Sequence, residues 1–194
     1  MKVNDIVKQV ATFLQLTNVI DANLSNFENL DTQSQKDINL ILSSMNEVLS
    51  DIATDYLPLV CSENIEVTDG TFDLKTLENS FYKLVRVKTN KPYHLDFETL
   101  KIANGIYEVD YLYLPEIYEI DDDITEFDSR LTIYALCYGI AGEYCLISGN
   151  YSESELWNSR YENAMDVATS HRALFSLKKR RWVWKKQNIQ NLES

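Results

Sequence analysis

Residues equipped for chemistry are few in this chain. The two histidines, His94 and His171, have no partner at metal-ligand spacing, so each is read as a surface side chain. Cys61, Cys137 and Cys145 include no CxxC pair, and their odd number argues against a disulfide scaffold and for a reducing compartment. Cys137 and Cys145 lie eight apart on one predicted helix. There they serve as small buried hydrophobes, since apolar surroundings raise a thiol pKa. The run Asp121-Asp122-Asp123 offers oxygen ligands for a hard cation, but a calcium loop beginning at Asp121 needs Gly at its sixth position and Glu at its twelfth. Those positions hold Glu126 and Thr132, so a solvated acidic linker is the expectation. Adjacent carboxylates also make no separated acid and base pair without help from elsewhere in the fold. The sequence contains no Gly-rich phosphate loop, no GxSxG turn and no Ser-His-Asp order with room to work. No catalytic residue, metal or cofactor is therefore expected, and the chain is read as a non-enzyme. An enzyme built on carboxylates of segment 116–128 stays open as a rival, and it predicts that a divalent metal raises thermal stability.

The elements that would position these residues follow from periodicity. Ile6, Val10, Phe13 and Leu14 line one face of a short helix over 4–15, which Asn4 can cap. Residues 18–31 read as a polar loop. Thr32 and Gln35 suggest a capping box for a long helix over 32–57, which Pro58 ends. Its stripe is Ile38, Ile41, Leu42, Met45, Val48, Leu49, Ile52 and Tyr56. Alternating apolar and polar residues then predict strands, with turns at Asp69-Gly70 and a hairpin at Asn104-Gly105. Pro115 closes this region. Thr125 with Asp128 marks the start of a third helix carrying Leu131, Tyr134, Ala135, Tyr138, Ala141 and Cys145, with Gly149 as its stop. Gly139 and Gly142 would let a neighbouring helix approach closely. Ser152 and Glu155 open a last helix through Trp157, Tyr161, Ala164, Met165 and Ala168 to about 175. The order predicts an α+β fold, mainly helical with about four helices. A small antiparallel sheet, about 63–115, is inserted between the second and third long helices. Residues 1–175 form one domain, and 176–194 form a basic aromatic tail.

The chain has 194 residues and a formal charge of −12, but the charge is uneven. Residues 172–194 hold seven Lys/Arg and one acid, a local +6, which leaves −18 on the first 171 residues. The basic run contains Trp182 and Trp184. The acids concentrate in Glu116, Glu119, Asp121, Asp122, Asp123, Glu126 and Asp128. So acidic a body excludes non-specific adhesion to nucleic acid or anionic membrane over most of the surface. The longest apolar stretch, Tyr134 to Ile147, is too short to span a membrane and contains Glu143. The amino-terminal pattern, with Lys2, Asp5 and Lys8, is not that of a signal peptide. Large apolar groups in a tail usually find a partner.

Tyrosine is concentrated too, with eleven of twelve between 82 and 161. Tyr107, Tyr111 and Tyr113 share one strand face, which reads as core or as a subunit interface. Glu108 and Asp110 line the opposite face, which argues against a nucleic-acid platform.

Taken together, the layout resembles the head-to-tail adaptor (connector) proteins of tailed bacteriophages. The resemblance spans about 32–186. It rests on a helical region followed by a β insertion, and on the strand end Tyr111-Leu112-Tyr113-Leu114-Pro115 with its acidic linker. It rests further on the helix rich in Tyr, Ala and Gly, the helix containing Trp157-Asn158-Ser159-Arg160-Tyr161-Glu162-Asn163-Ala164, and the terminal Lys-Lys-Arg-Arg-Trp-Val-Trp. It implies a structural virion protein of the neck, made in the bacterial host cytoplasm, whose copies form a ring, commonly dodecameric, beneath the portal. Leu177, Lys178, Lys179, Arg180, Arg181, Trp182 and Trp184 would then be the portal-binding tail. Tyr107, Tyr111 and Tyr113 would belong to a subunit interface, and Asp121, Asp122 and Asp123 to an acidic lumen or linker. A stopper or tail protein would sit below the ring, genomic DNA would pass through without specific binding, and no membrane would be involved. An acidic soluble adaptor that binds a partner through the same basic Trp-containing tail is the alternative.

Overall fold

The computed structural model describes residues 1–175, with side chains through Ser170. The basic aromatic tail, 176–194, lies outside the described residues. The fold is α+β, as the pattern predicts: a helical body interrupted by an antiparallel β insertion.

The body is built from α1 (Val3–Phe13), the short α2 (Thr17–Ile20), α3 (Thr32–Asp51), α4 (Ile133–Ile147) and α5 (Tyr151–Phe175). The predicted stripe of α3 is its buried face. Ile38, Ile41, Met45, Val48 and Leu49 are buried, and Ile52 continues that face into a single π-helical turn, Ile52–Tyr56. Against it pack Ile6, Val7 and Val10 of α1 and Leu136, Cys137 and Ile140 of α4, forming the larger of two cores. Helix α4 is apolar nearly all round, as a helix enclosed by others must be. At Gly139 a Cβ would meet Val48 Cγ1 at 2.8 Å and the Tyr161 ring at 3.0 Å. At Gly142 it would meet Asn158 Oδ1 at 2.2 Å. Both glycines thus permit the close approach of neighbouring helices that the sequence suggests. Gly149 (φ +80°) ends α4, and α5 returns antiparallel along it. Stacked rings of Phe13, Tyr138 and Trp157 tie α1, α4 and α5 together.

The insertion holds β1 (Leu59–Val67), β2 (Thr71–Asp73), β3 (Phe81–Val87), β4 (Tyr93–Asp96), β5 (Thr99–Ile102) and β6 (Gly105–Tyr113). These strands make two three-stranded antiparallel sheets, β1-β6-β3 and β2-β5-β4, where the sequence suggests one. One register runs through both. Leu59 pairs with Tyr113, Val67 with Gly105, Thr71 with Lys101 and Asp73 with Thr99. A single two-stranded ribbon, 59–73 against 99–113, therefore bends once and keeps its pairing count across the bend. At the bend Gly70 adopts φ +72°, and its carbonyl accepts from Ile102 N while its amide donates to Asn104 Oδ1 (2.8 Å). The inner faces of the two sheets enclose the smaller core: Ile65, Val67, Leu74, Leu77, Val87, Leu100, Ile102, Tyr107, Val109 and Tyr111.

Several local expectations give way to stronger contacts. Asn104-Gly105 is no hairpin turn, because β5 and β6 lie in different sheets and Asn104 instead braces the bend. The cap of α3 is Asp31, whose carboxylate accepts from Gln33 N and Ser34 N, rather than a Thr32–Gln35 box. Helix α1 starts at Val3, so Asn4 lies inside it. Helix α4 starts only at Ile133 with Thr132 as its cap, because Asp128 is engaged by Arg130 instead. Helix α5 begins at Tyr151, one residue before Ser152. Segment 18–31 is not all loop: it contains α2 and a 3-10 turn, Leu24–Asn29. The insertion begins at Leu59 rather than near 63.

Candidate functional site

The acidic segment between β6 and α4 is tied down at two places. Asn46 of α3 accepts from the Tyr118 amide at 2.8 Å and donates to the Tyr118 carbonyl at 3.1 Å. Further on, the first residues of the chain pair with it like an added strand. The Met1 ammonium donates to the Ile124 carbonyl (2.7 Å), Ile124 N to the Met1 carbonyl (2.7 Å) and Val3 N to the Asp122 carbonyl (3.0 Å). Tyr118 and Ile124 are buried, while Asp121, Asp122 and Asp123 remain exposed. A backbone held on both sides thus displays its carboxylates to water. Glu126 accepts from the Tyr118 hydroxyl at 2.7 Å, and burial together with this contact pushes that phenol far up. Among the described residues no group of three or more His, Cys, Asp or Glu is placed to hold a metal ion.

A second acidic surface was not foreseen, because its members come from three helices. Asp51 and Asp55 end the α3 segment, with Glu47 one turn before, and Glu143 (α4) and Glu162 and Asp166 (α5) face them. Burial raises the Glu143 and Asp51 carboxyls; Glu47 and Asp51 add to the first, and Asp55 to the second. The Tyr56 and Tyr161 rings meet edge to face at 5.8 Å beside these acids. Among the described residues none of these six carboxylates has an ion-pair partner within 4.0 Å. Helical spacing within each element was visible in the sequence, but the meeting of three helices was not.

The tyrosines proposed for a subunit interface fare differently from one another. Tyr107 and Tyr111 are buried in the smaller core, which leaves them no surface to offer a second subunit. The Tyr111 hydroxyl donates to Glu63 (3.1 Å) and accepts from Asn79, while the Tyr107 hydroxyl donates to the Ala103 carbonyl (2.6 Å). Tyr113 is half-buried at the edge of that core. On the opposite face of β6, Asp110 accepts from Ser62 Oγ (2.7 Å) and from Arg86 Nε and Nη2 (3.0 and 2.6 Å). The Ser62 and Arg86 contacts hold its carboxyl down at about 2.

The remaining candidates are separate from one another. His94 is exposed on β4, and the His171 side chain lies outside the described ones, as do Leu177, Lys178, Lys179, Arg180, Arg181, Trp182 and Trp184. Cys137 and Cys145 are buried in α4, and desolvation pushes their thiols up to about 12 and about 11. Cys145 Sγ donates to Glu153 Oε2 at 3.9 Å, and that carboxylate adds to the rise, so both thiols stay protonated at the positions of packed hydrophobes. Sequence reasoning also passed over Phe97. It sits at φ +53° in the two-residue turn between β4 and β5, fully outside the core.

No protein-family model matches this chain, and no curated protein matches it in sequence. Among the described residues no helix is long and apolar enough to cross a membrane.

Proposed function

We propose that this chain is a head-to-tail adaptor subunit of a tailed phage, forming a ring that docks on the portal and joins the capsid to the tail or stopper. The observation that carries the reading is the separation of charge along one molecule. The first 171 residues carry −18, with two carboxylate-bearing surfaces, and the basic segment with Trp182 and Trp184 follows α5. Helix α5 has 25 residues, about 37 Å of length, against 15 residues for α4. Its residues 164–168 already lie level with Ser129 and Thr132, before α4 begins, so the helix runs on past its partner toward the tail. Acidic walls let DNA pass without gripping it, since carboxylates repel phosphate. Trp and Arg are the usual anchors of protein interfaces, and many copies of one tail on a ring add avidity. In this reading the protein is no enzyme, uses no cofactor and resides in the neck of the virion.

Light scattering with electron microscopy tests this on the protein alone and mixed with the portal of its own phage. Annular assemblies, formed alone or only with portal, are the expected result. A stable monomer or dimer that ignores portal overturns the ring and favours a soluble adaptor. Removing 176–194 leaves a folded subunit that no longer binds portal, and Trp182→Ala with Trp184→Ala weakens docking by about thirtyfold or more for each ring that is fully buried. Portal binding unchanged by the truncation overturns the role given to the tail.

A further inference from the structure

We propose that the β insertion, residues 59–113, pivots as one rigid unit on the helical body, about the links that carry Pro58 and Pro115. The pivot does not depend on the ring reading above and stands or falls apart from it.

The insertion is stiff within itself. Its core of ten buried side chains shares no member with the core of the helical body. Asp110 joins the three strands of one sheet through Ser62 and Arg86. Glu63 accepts from the Tyr111 hydroxyl and from the Glu78 amide, both at 3.1 Å, and so holds the loop before β3 against the sheet. Lys91 Nζ donates to the Tyr107 hydroxyl at 3.1 Å and ties the loop before β4 to β6.

Nothing comparable crosses to the body. Among the described residues, every hydrogen bond, ion pair and ring contact made by residues 59–113 ends within 59–114. The body, in contrast, is stitched over long sequence separations at Met1–Ile124, Asp37–Tyr144 and Asn46–Tyr118. Pro58 and Pro115 lie just outside the terminal pair Leu59–Tyr113. A proline has no N–H to donate, so neither link can carry the ladder on into the helices. The Leu114 amide, between Tyr113 and Pro115, turns back to the Ser80 carbonyl at 3.0 Å.

Where the two units face each other there is a cleft of about 130 Å³. Leu59, Val60 and Tyr113 of the insertion line it together with Glu126, Phe127 and Arg130 of the body. Glu126 is near enough to Tyr113 to help raise its phenol pKa, yet it accepts its hydrogen bond from Tyr118 of its own segment. A tilt that opens or closes this cleft therefore breaks no hydrogen bond and disturbs neither core. Two links set side by side oppose a swivel and leave this bend as the soft motion. Hinges are a few residues at element ends that absorb such a change while packed units on either side move whole.

Pulsed electron–electron double resonance on the full chain tests the pivot, with labelled copies diluted in an excess of unlabelled chain. The background is Cys61→Ser, in which the buried Cys137 and Cys145 stay unlabelled. Labels at the exposed positions Phe97→Cys and Leu156→Cys report the insertion against the body. Phe97→Cys with Tyr82→Cys, and Tyr134→Cys with Leu156→Cys, report each unit internally, so each label of the crossing pair recurs in a control. The crossing pair is expected to give a distance distribution about twofold wider than either control, or more. A width equal to that of the controls overturns the pivot. Either control as wide as the crossing pair overturns it too, because the flexibility then lies within a unit and not between the two. None of these results bears on the ring, which light scattering decides.

Discussion

At Asp110 three strands meet on one carboxylate. Ser62 of β1 and Arg86 of β3 are both its cross-strand neighbours on β6, and both donate to it. Because these contacts favour the ionised form, its folded pKa, about 2, lies below that of an unfolded aspartate. The contribution is therefore present at neutral pH and is lost as pH falls from about 4 to about 2. Asp110→Asn is expected to melt lower than the wild type at pH 7, with the difference vanishing toward pH 2 in acid-unfolding curves. Glu143 has the opposite sign. Burial beside Glu47 and Asp51 raises its folded pKa, so its ionised form penalises the fold at neutral pH and protonation relieves the penalty as pH falls. Glu143→Gln should accordingly raise the melting temperature at pH 7, with the gain shrinking as pH falls and the wild-type carboxyl takes up its proton. At this scale the sequence was partly legible. The odd-numbered face of Tyr107, Val109 and Tyr111 followed from strand alternation, but alternation identifies a buried face without saying what buries it. Here it is the insertion's own second sheet.

Among the elements, the contact of α4 with α3 and α5 depends on the absence of side chains. Gly139→Ala drives a methyl into a branched Val48 and the edge of the Tyr161 ring, both packed. A loss of about 1–3 kcal/mol is expected, read as a lower melting temperature by calorimetry. Gly142→Ala is milder, since the atom in its way is the end of the Asn158 side chain, which can swing aside. Should Gly142→Ala prove the worse of the two, the helix spacing is set at the Ser154–Gly142 hydrogen bond (2.9 Å) instead. The long helices were readable because period and stripe reinforce each other over many residues. The strands were readable as strands but not as partners. Asn104-Gly105 has the composition of a hairpin turn, and the same composition serves a bend where the ribbon passes from one sheet to the other. Only tertiary pairing distinguishes the two. The start of α4 was misplaced for a similar reason: Thr125 and Thr132 both suit a cap, and Arg130 engaging Asp128 decides between them.

For the molecule as a whole, two features stand out: separate cores, one helical and one in the insertion, and a large excess of carboxylates. Self-repulsion on a body carrying −18 opposes compactness, and salt screens it. Raising sodium chloride from about 20 mM to about 200 mM shortens the Debye length to under half and is expected to raise the melting temperature. A flat or falling response would show that the paired carboxylates outweigh the free ones. The overall charge contrast was legible from composition alone. Its arrangement was not, since the ridge of Asp51, Asp55, Glu143, Glu162 and Asp166 comes together only when three helices pack. The ribbon has a further consequence. Leu59 and Tyr113 are direct partners, so the chain leaves the helical body and returns to it at points one strand spacing apart, about 5 Å. Everything from 59 to 113 therefore hangs from a single doorway. A short glycine bridge in its place would give a miniature all-helical protein, and an unrelated hairpin-ended module could be spliced into the same opening without disturbing the helices around it.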